Sequence, residues 1–147
     1  MKRKFTIFLS FLCAVFCSAF CLFACERSAG NVKASVVESS ETLLVIRVDE
    51  TDGKATLYDA MQYLQAEGRI TFETQSGAYG EMLKSINGKE NGKNDNPCWL
   101  SYTTDETRSN TAWGYDYQGE TLGSCNYGVS SLTVETGNLY VWVYQSF

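Results

Sequence analysis

The chain contains no histidine among its 147 residues. That absence removes Ser-His-Asp and Cys-His catalysis, His-ligated zinc and His-ligated haem together. Positive charge is scarce as well. Twelve basic residues stand against seventeen acidic ones, and three of the twelve are Lys2, Arg3 and Lys4. Beyond the first 24 residues the balance is nine against seventeen, a formal charge of −8. Such a surface is repelled by nucleic acid phosphates and by anionic headgroups, so nucleic acid is excluded as a partner. The chain has no internal repeat, and the stretch from Glu26 to Glu41 has few large apolar groups. Residues 25–41 therefore read as a flexible tether. A carboxylate pair could hydrolyse glycosides without histidine, but the seventeen acids are scattered and single out no pair. No catalytic residue, metal or cofactor is assigned, and the expectation is a protein that is not an enzyme.

What is present begins at the first residue. The basic head Lys2-Arg3-Lys4 precedes an uncharged apolar run from Phe5 to Ala24, the pattern of a secretory signal. The run is also just long enough to cross a bilayer, so an uncleaved anchor is the competing reading. Leu22-Phe23-Ala24-Cys25 resembles the lipobox of bacterial lipoproteins, in which the thiol is acylated and the chain is cut before it. The small Ala24 suits that cut. Residues 1–24 are thus expected as a signal peptide, and Cys25 as the lipidation site that holds the chain at the outer face of the cytoplasmic membrane. Several acyl chains give lasting anchorage, since each buried methylene contributes about 0.8 kcal/mol. Cys13, Cys17 and Cys21 recur every four residues but have no polar partner, and read as small hydrophobes.

From Cys25 onward 123 residues remain, enough for one domain. Leu43 to Val48 is a β-branched run that reads as a strand before an Asp-Gly turn. Thr56 opens the one clear helix, with Asp59 in capping-box position and Leu57, Ala60, Met61 and Leu64 forming a single apolar stripe. Gly68 reads as its C′ residue. The rest has β character. Ile70 to Thr74 alternates, Met82 to Ile86 leads into the tight turn Asn87-Gly88, and Asn91 to Pro97 is a polar loop. Trp99 to Thr103, Leu132 to Glu135 and Leu139 to Tyr144 complete the strands. The pattern predicts an α+β fold, one helix packed on a mostly antiparallel sheet.

Thr56-Leu57-Tyr58-Asp59-Ala60, Ser85-Ile86-Asn87-Gly88, Trp99 with Tyr102, and the closing Tyr140-Val141-Trp142-Val143-Tyr144 follow one another in an order similar to the transcobalamin-like C-terminal domain family. The resemblance covers residues 42–147. It implies a β-grasp-like domain that binds a soluble ligand, cobalamin-like or another small molecule or peptide. The Asp105 to Gly119 excursion stands where that family has a short hairpin. A surface adhesion or protein-interaction module of the cell envelope is the alternative, with an unidentified protein partner.

Trp99, Tyr102, Trp113, Tyr115, Tyr117 and Tyr127 lie close together in sequence and are the ligand-binding candidates, because Tyr and Trp join large rigid faces to one polar atom. Trp113, Tyr115 and Tyr117 alternate and would share one strand face, whereas Trp99 begins a regular strand and reads as core. Tyr140, Trp142 and Tyr144 share a face opposite Val141 and Val143 and read as structural. With Cys25 acylated, Cys98 and Cys125 are the remaining thiols, expected to pair as a disulfide across a hairpin reversing near Thr111 and Ala112. A closed loop of about 28 residues would stabilise the fold by roughly 3–4 kcal/mol.

Overall fold

A computed structural model describes residues 30–147. The signal reading, Cys25 and the first residues of the tether lie outside the described residues. Among the described residues the strands are β1 (Val32–Ser39), β2 (Leu43–Thr51), β3 (Phe72–Gly77), β4 (Gly80–Ile86), β5 (Lys89–Glu90), β6 (Cys98–Thr103), β7 (Ser109–Tyr117), β8 (Glu120–Cys125) and β9 (Leu139–Gln145), with helix α1 at Leu57–Ala66. Six strands form an antiparallel sheet in the order β1-β2-β9-β6-β8-β7, and three form a smaller one in the order β3-β4-β5. The α+β class holds.

Local chemistry explains the helix. Thr56 accepts from the Asp59 N–H through its hydroxyl at 3.3 Å, and the Asp59 carboxylate accepts from the Thr56 N–H at 2.7 Å, closing the capping box. Gly68 follows the helix at φ +67°, the left-handed C′ position. Leu57, Ala60, Met61 and Leu64 are all buried against Leu44, Ile46, Val48, Tyr140 and Trp142 of the large sheet. Truncating a buried leucine such as Leu64 to alanine costs about 2–5 kcal/mol, so this stripe fixes the helix on one sheet face. Asn87 and Gly88 both take positive φ between β4 and β5, as a two-residue turn of this kind requires.

The opposite sheet face carries a second core of Val45, Tyr102, Tyr117, Leu122, Val141 and Val143. No helix covers it. The sheet curls instead, so that its two edge strands meet: Tyr117 of β7 donates from its hydroxyl to Glu38 of β1 at 3.0 Å. Alternation along β9 divides the two cores, with Tyr140 and Trp142 on the helix side and Val141 and Val143 on the other.

Three expectations are corrected. Residues 32–39 are not tether but strand β1, paired with β2 from Val32↔Thr51 to Ser39↔Leu44. Val32, Ala34 and Val36 alternate with polar Lys33 and Ser35, enough for an edge strand that buries one side against the core. The chain does not reverse near Thr111 and Ala112. That stretch lies inside β7, and the reversal comes at Gln118-Gly119, where both φ angles are positive. Leu132 to Glu135 is extended and covers the start of α1, with Leu132 and Val134 fully buried, but it makes only an isolated bridge from Thr133 to Thr56.

Candidate functional site

Strand β6 decides where a site can form. On one side it pairs with β9 over its whole length, from Cys98↔Gln145 to Thr103↔Tyr140. On the other it meets β8 only at Tyr102↔Ser124 and Thr103↔Gly123, because β8 ends at Cys125 and the chain turns away. The space left beside Cys98 to Leu100 opens into a cleft of about 620 Å³ between the two sheets. Trp99 and Trp142 wall it on the helix side, Leu83 and the exposed Tyr79 and Met82 come from the small sheet, and Trp113 closes the far rim.

Trp113 stands out by exposure, at 74%, and by backbone. The β7–β8 register jumps from Asn110↔Ser124 to Gly114↔Gly123, leaving Thr111, Ala112 and Trp113 in a bulge. Two facing glycines permit the strands to close again beyond it. A Cβ on Gly114 would come within 2.6 Å of Thr121 Cγ2, and one on Gly123 within 2.6 Å of Ser109 Oγ.

The other aromatic candidates divide. Trp99 is buried, donates from Nε1 to the Lys89 carbonyl at 2.9 Å, and meets Tyr144 edge-on at 5.4 Å. Tyr102 is buried too. Its hydroxyl accepts from Gln145 at 2.7 Å, and burial raises its pKa above the usual tyrosine value. Both still contribute to the cleft wall. Tyr115 stacks at a tilt on Tyr102, 5.3 Å away, and Tyr117 is buried in the second core, where burial and Glu38 raise its pKa. Tyr115 and Tyr117 do not line the cleft, and neither does the exposed Tyr127. The bulge breaks the alternation, so Trp113 does not act with Tyr115 and Tyr117. Tyr79, Met82 and Trp142 also line the cleft, and the sequence pattern does not mark them as binding residues. The signal for Tyr79 is a bulky residue inside the small-residue stretch Gly77-Ala78-Tyr79-Gly80.

Asn91 ties the walls together. Its side-chain oxygen accepts from the Trp99 N–H at 3.1 Å, while its amide donates to the Leu83 carbonyl at 3.0 Å and to Asp95 at 3.2 Å. Lys84 bonds the same Asp95 at 3.1 Å, and these two contacts hold the Asp95 carboxyl below its usual range, Lys84 first. In the cleft wall, Trp142 Nε1 is closed to solvent and has no hydrogen-bond acceptor. An orphaned donor of this kind costs about 1–3 kcal/mol.

Cys98 and Cys125 are free thiols, and the expected disulfide is absent. Parity and distance both explain why. Extending the β6–β8 register by one pair sets Cys125 opposite Ser101, and the Ser101 hydroxyl is its hydrogen-bond partner. Cys125 thus packs on the helix side with Trp99, whereas Cys98 shares the face of Leu100 and Tyr102. Three residues along a strand also separate them by roughly 10 Å, beyond the Cα spacing of about 7 Å that a bridge tolerates. Burial pushes the Cys125 thiol up to about 11 and raises Cys98 as well.

Charged groups gather elsewhere. Arg108 donates to Asp105 at 3.0 Å and to Glu135 at 2.7 Å, outside the cleft. Burial works to raise the Asp105 pKa, but hydrogen bonds from Thr107 and Arg108 outweigh it and hold the carboxyl below its usual value. The cleft itself offers aromatic and aliphatic surface, a few backbone groups, and no charge aimed into it without a partner. Its capability is to bury an apolar group beside Trp113. No protein-family model, no curated protein and no solved structure matches the chain.

Proposed function

We propose that this chain is a non-enzymatic, ligand-binding module of the cell envelope, anchored through a lipid on Cys25 at the outer face of the cytoplasmic membrane. The cleft beside β6 carries the binding reading. Its volume of about 620 Å³ lies within the roughly 300–1,000 Å³ range of small-molecule sites, and its lining is mostly apolar. The anchor rests on the lipobox-like Leu22-Phe23-Ala24-Cys25 alone. An N-terminal hairpin, a helix across one sheet face and a last strand set beside that hairpin support a β-grasp-like domain of the transcobalamin-like kind. The exposed Tyr79, Met82 and Trp113 around the cleft equally suit a protein partner, which is the second reading.

Trp113→Ala should abolish ligand binding and shift stability by no more than about 0.5 kcal/mol, as at an ordinary surface position. Trp99→Ala should destabilise by about 3–5 kcal/mol. A thermal-shift screen of small molecules that includes a corrinoid, followed by fluorescence titration and chemical denaturation of both variants, reads the two effects apart. Ligands that bind Trp113→Ala as tightly as the parent would defeat the cleft reading.

A further inference from the structure

Resting on that cleft, we propose that its ligand is an organic cation, a small amine whose ammonium meets Asp95 at the rim and whose apolar body fills the aromatic interior. Among the described residues, Glu81 and Asp95 are the charged side chains that line the cleft, and both are acidic. Two lysines stand near without lining it. Lys84 donates to Asp95 at 3.1 Å and offsets part of its charge, and the Lys89 ammonium lies 4.6 Å from the centre of the Tyr144 ring. The wider surface acts in the cation's favour, since a balance of −8 draws cations in and repels anions.

Asp95 has room for a second cation. Its two shorter contacts, from Lys84 at 3.1 Å and from Asn91 at 3.2 Å, both fall on Oδ1, while Oδ2 takes the 3.4 Å contact from Lys84. An ionised carboxylate offers about four lone-pair sites, so Oδ2 can accept again. Trp99, Tyr102 and Trp142 supply ring surface for the apolar body. Tyr79 and Trp113 are exposed, and ring faces of this kind attract a cation as well. Solvent screens the Asp95 contact, because 47% of that side chain stays exposed. The preference for a cation is therefore about tenfold and not absolute.

The test uses residues 26–147, which include every strand, the helix and both cores. Calorimetry at neutral pH compares diphenylpropylamine, diphenylpropanol and diphenylbutyrate, each with both rings on the carbon farthest from the head group, so that one apolar body carries three charges. The amine should bind about tenfold more tightly than the alcohol. The carboxylate should bind most weakly, and added salt should narrow the spread. Asp95→Asn should bring the amine down to the affinity of the alcohol and leave the alcohol unchanged. Equal binding of amine and alcohol, tightest binding of the carboxylate, or no binding of the amine overturns the inference. So does an Asp95→Asn variant that weakens all three alike, the mark of a loosened wall. If uncharged molecules still bind in a Trp113-dependent way, the ligand-binding function stands without it. If no molecule loses affinity on Trp113→Ala, both fall.

Discussion

Cys98 and Cys125 illustrate how one residue's behaviour follows from the face it occupies. Burial raises both thiols, Cys125 to about 11, so little thiolate exists at neutral pH. An alkylating reagent should label them slowly in the folded protein. After unfolding without reductant, residues 26–147 should titrate as two free thiols, and a count of zero would restore the bridge. Asp105 makes a second case. Its carboxyl is buried and its folded pKa is depressed, so its contribution is fully present above the unfolded value near 4 and is lost as pH falls through the folded one. Arg108→Ala should strand that charge and cost about 2–3 kcal/mol at pH 7. This is less than the roughly 3–5 kcal/mol of fully buried pairs, since Arg108 is 27% exposed. The deficit should shrink as the pH falls from 7 through the folded pKa of Asp105, below which the carboxyl is protonated in both states. Denaturation midpoints along an acid titration check the sign.

Strand β1 carries the clearest consequence among the elements. It covers the outer side of β2, places Ala34 in the main core, and supplies Glu38 to Tyr117 of the far edge strand. A protein beginning at Glu41 should therefore be unfolded or destabilised by several kcal/mol relative to one beginning at Gly30, because it loses a paired strand and the latch of the curled sheet. Circular dichroism melts of the two proteins make the comparison. Equal melting would return these residues to the status of a linker. β7 matters in another way. Its bulge turns Trp113 away from Tyr115 and Tyr117, so one strand serves both the second core and the rim of the cleft.

For the whole molecule, the early start of the fold bears on the proposed anchor. Between Cys25 and Asn31 the chain spans at most about 20 Å, so a lipid on Cys25 would hold β1 close to the headgroups. Cys25→Ser should remove the acyl mass and release the protein from the membrane fraction, or leave it with its first 24 residues attached. Intact mass measurement of protein from that fraction settles the matter. A mature N-terminus beyond Cys25, or an unmodified Cys25, would end the lipoprotein reading.

Features set by neighbours in the chain are legible in the sequence by itself. The capping box at Thr56 and Asp59, the stripe from Leu57 to Leu64, the Asn87-Gly88 turn and the two-sided alternation of β9 each depend on residues within a few positions, and each stands where local pattern puts it. Composition likewise determined the absence of histidine chemistry and the acidic balance. Trp99 belongs to the core because it lies on the helix-side face of β6. The cleft has no such local signature, since it exists only because β8 leaves β6 after two pairs and the small sheet stands opposite. Tertiary structure alone decided that β1 has a partner, that β7 lies outside β8, and that Cys98 and Cys125 face opposite ways. The physical reason is parity. Side chains alternate along a strand, so pairing order and a register shift of one residue determine which face a group occupies, and both are fixed by partners distant in sequence.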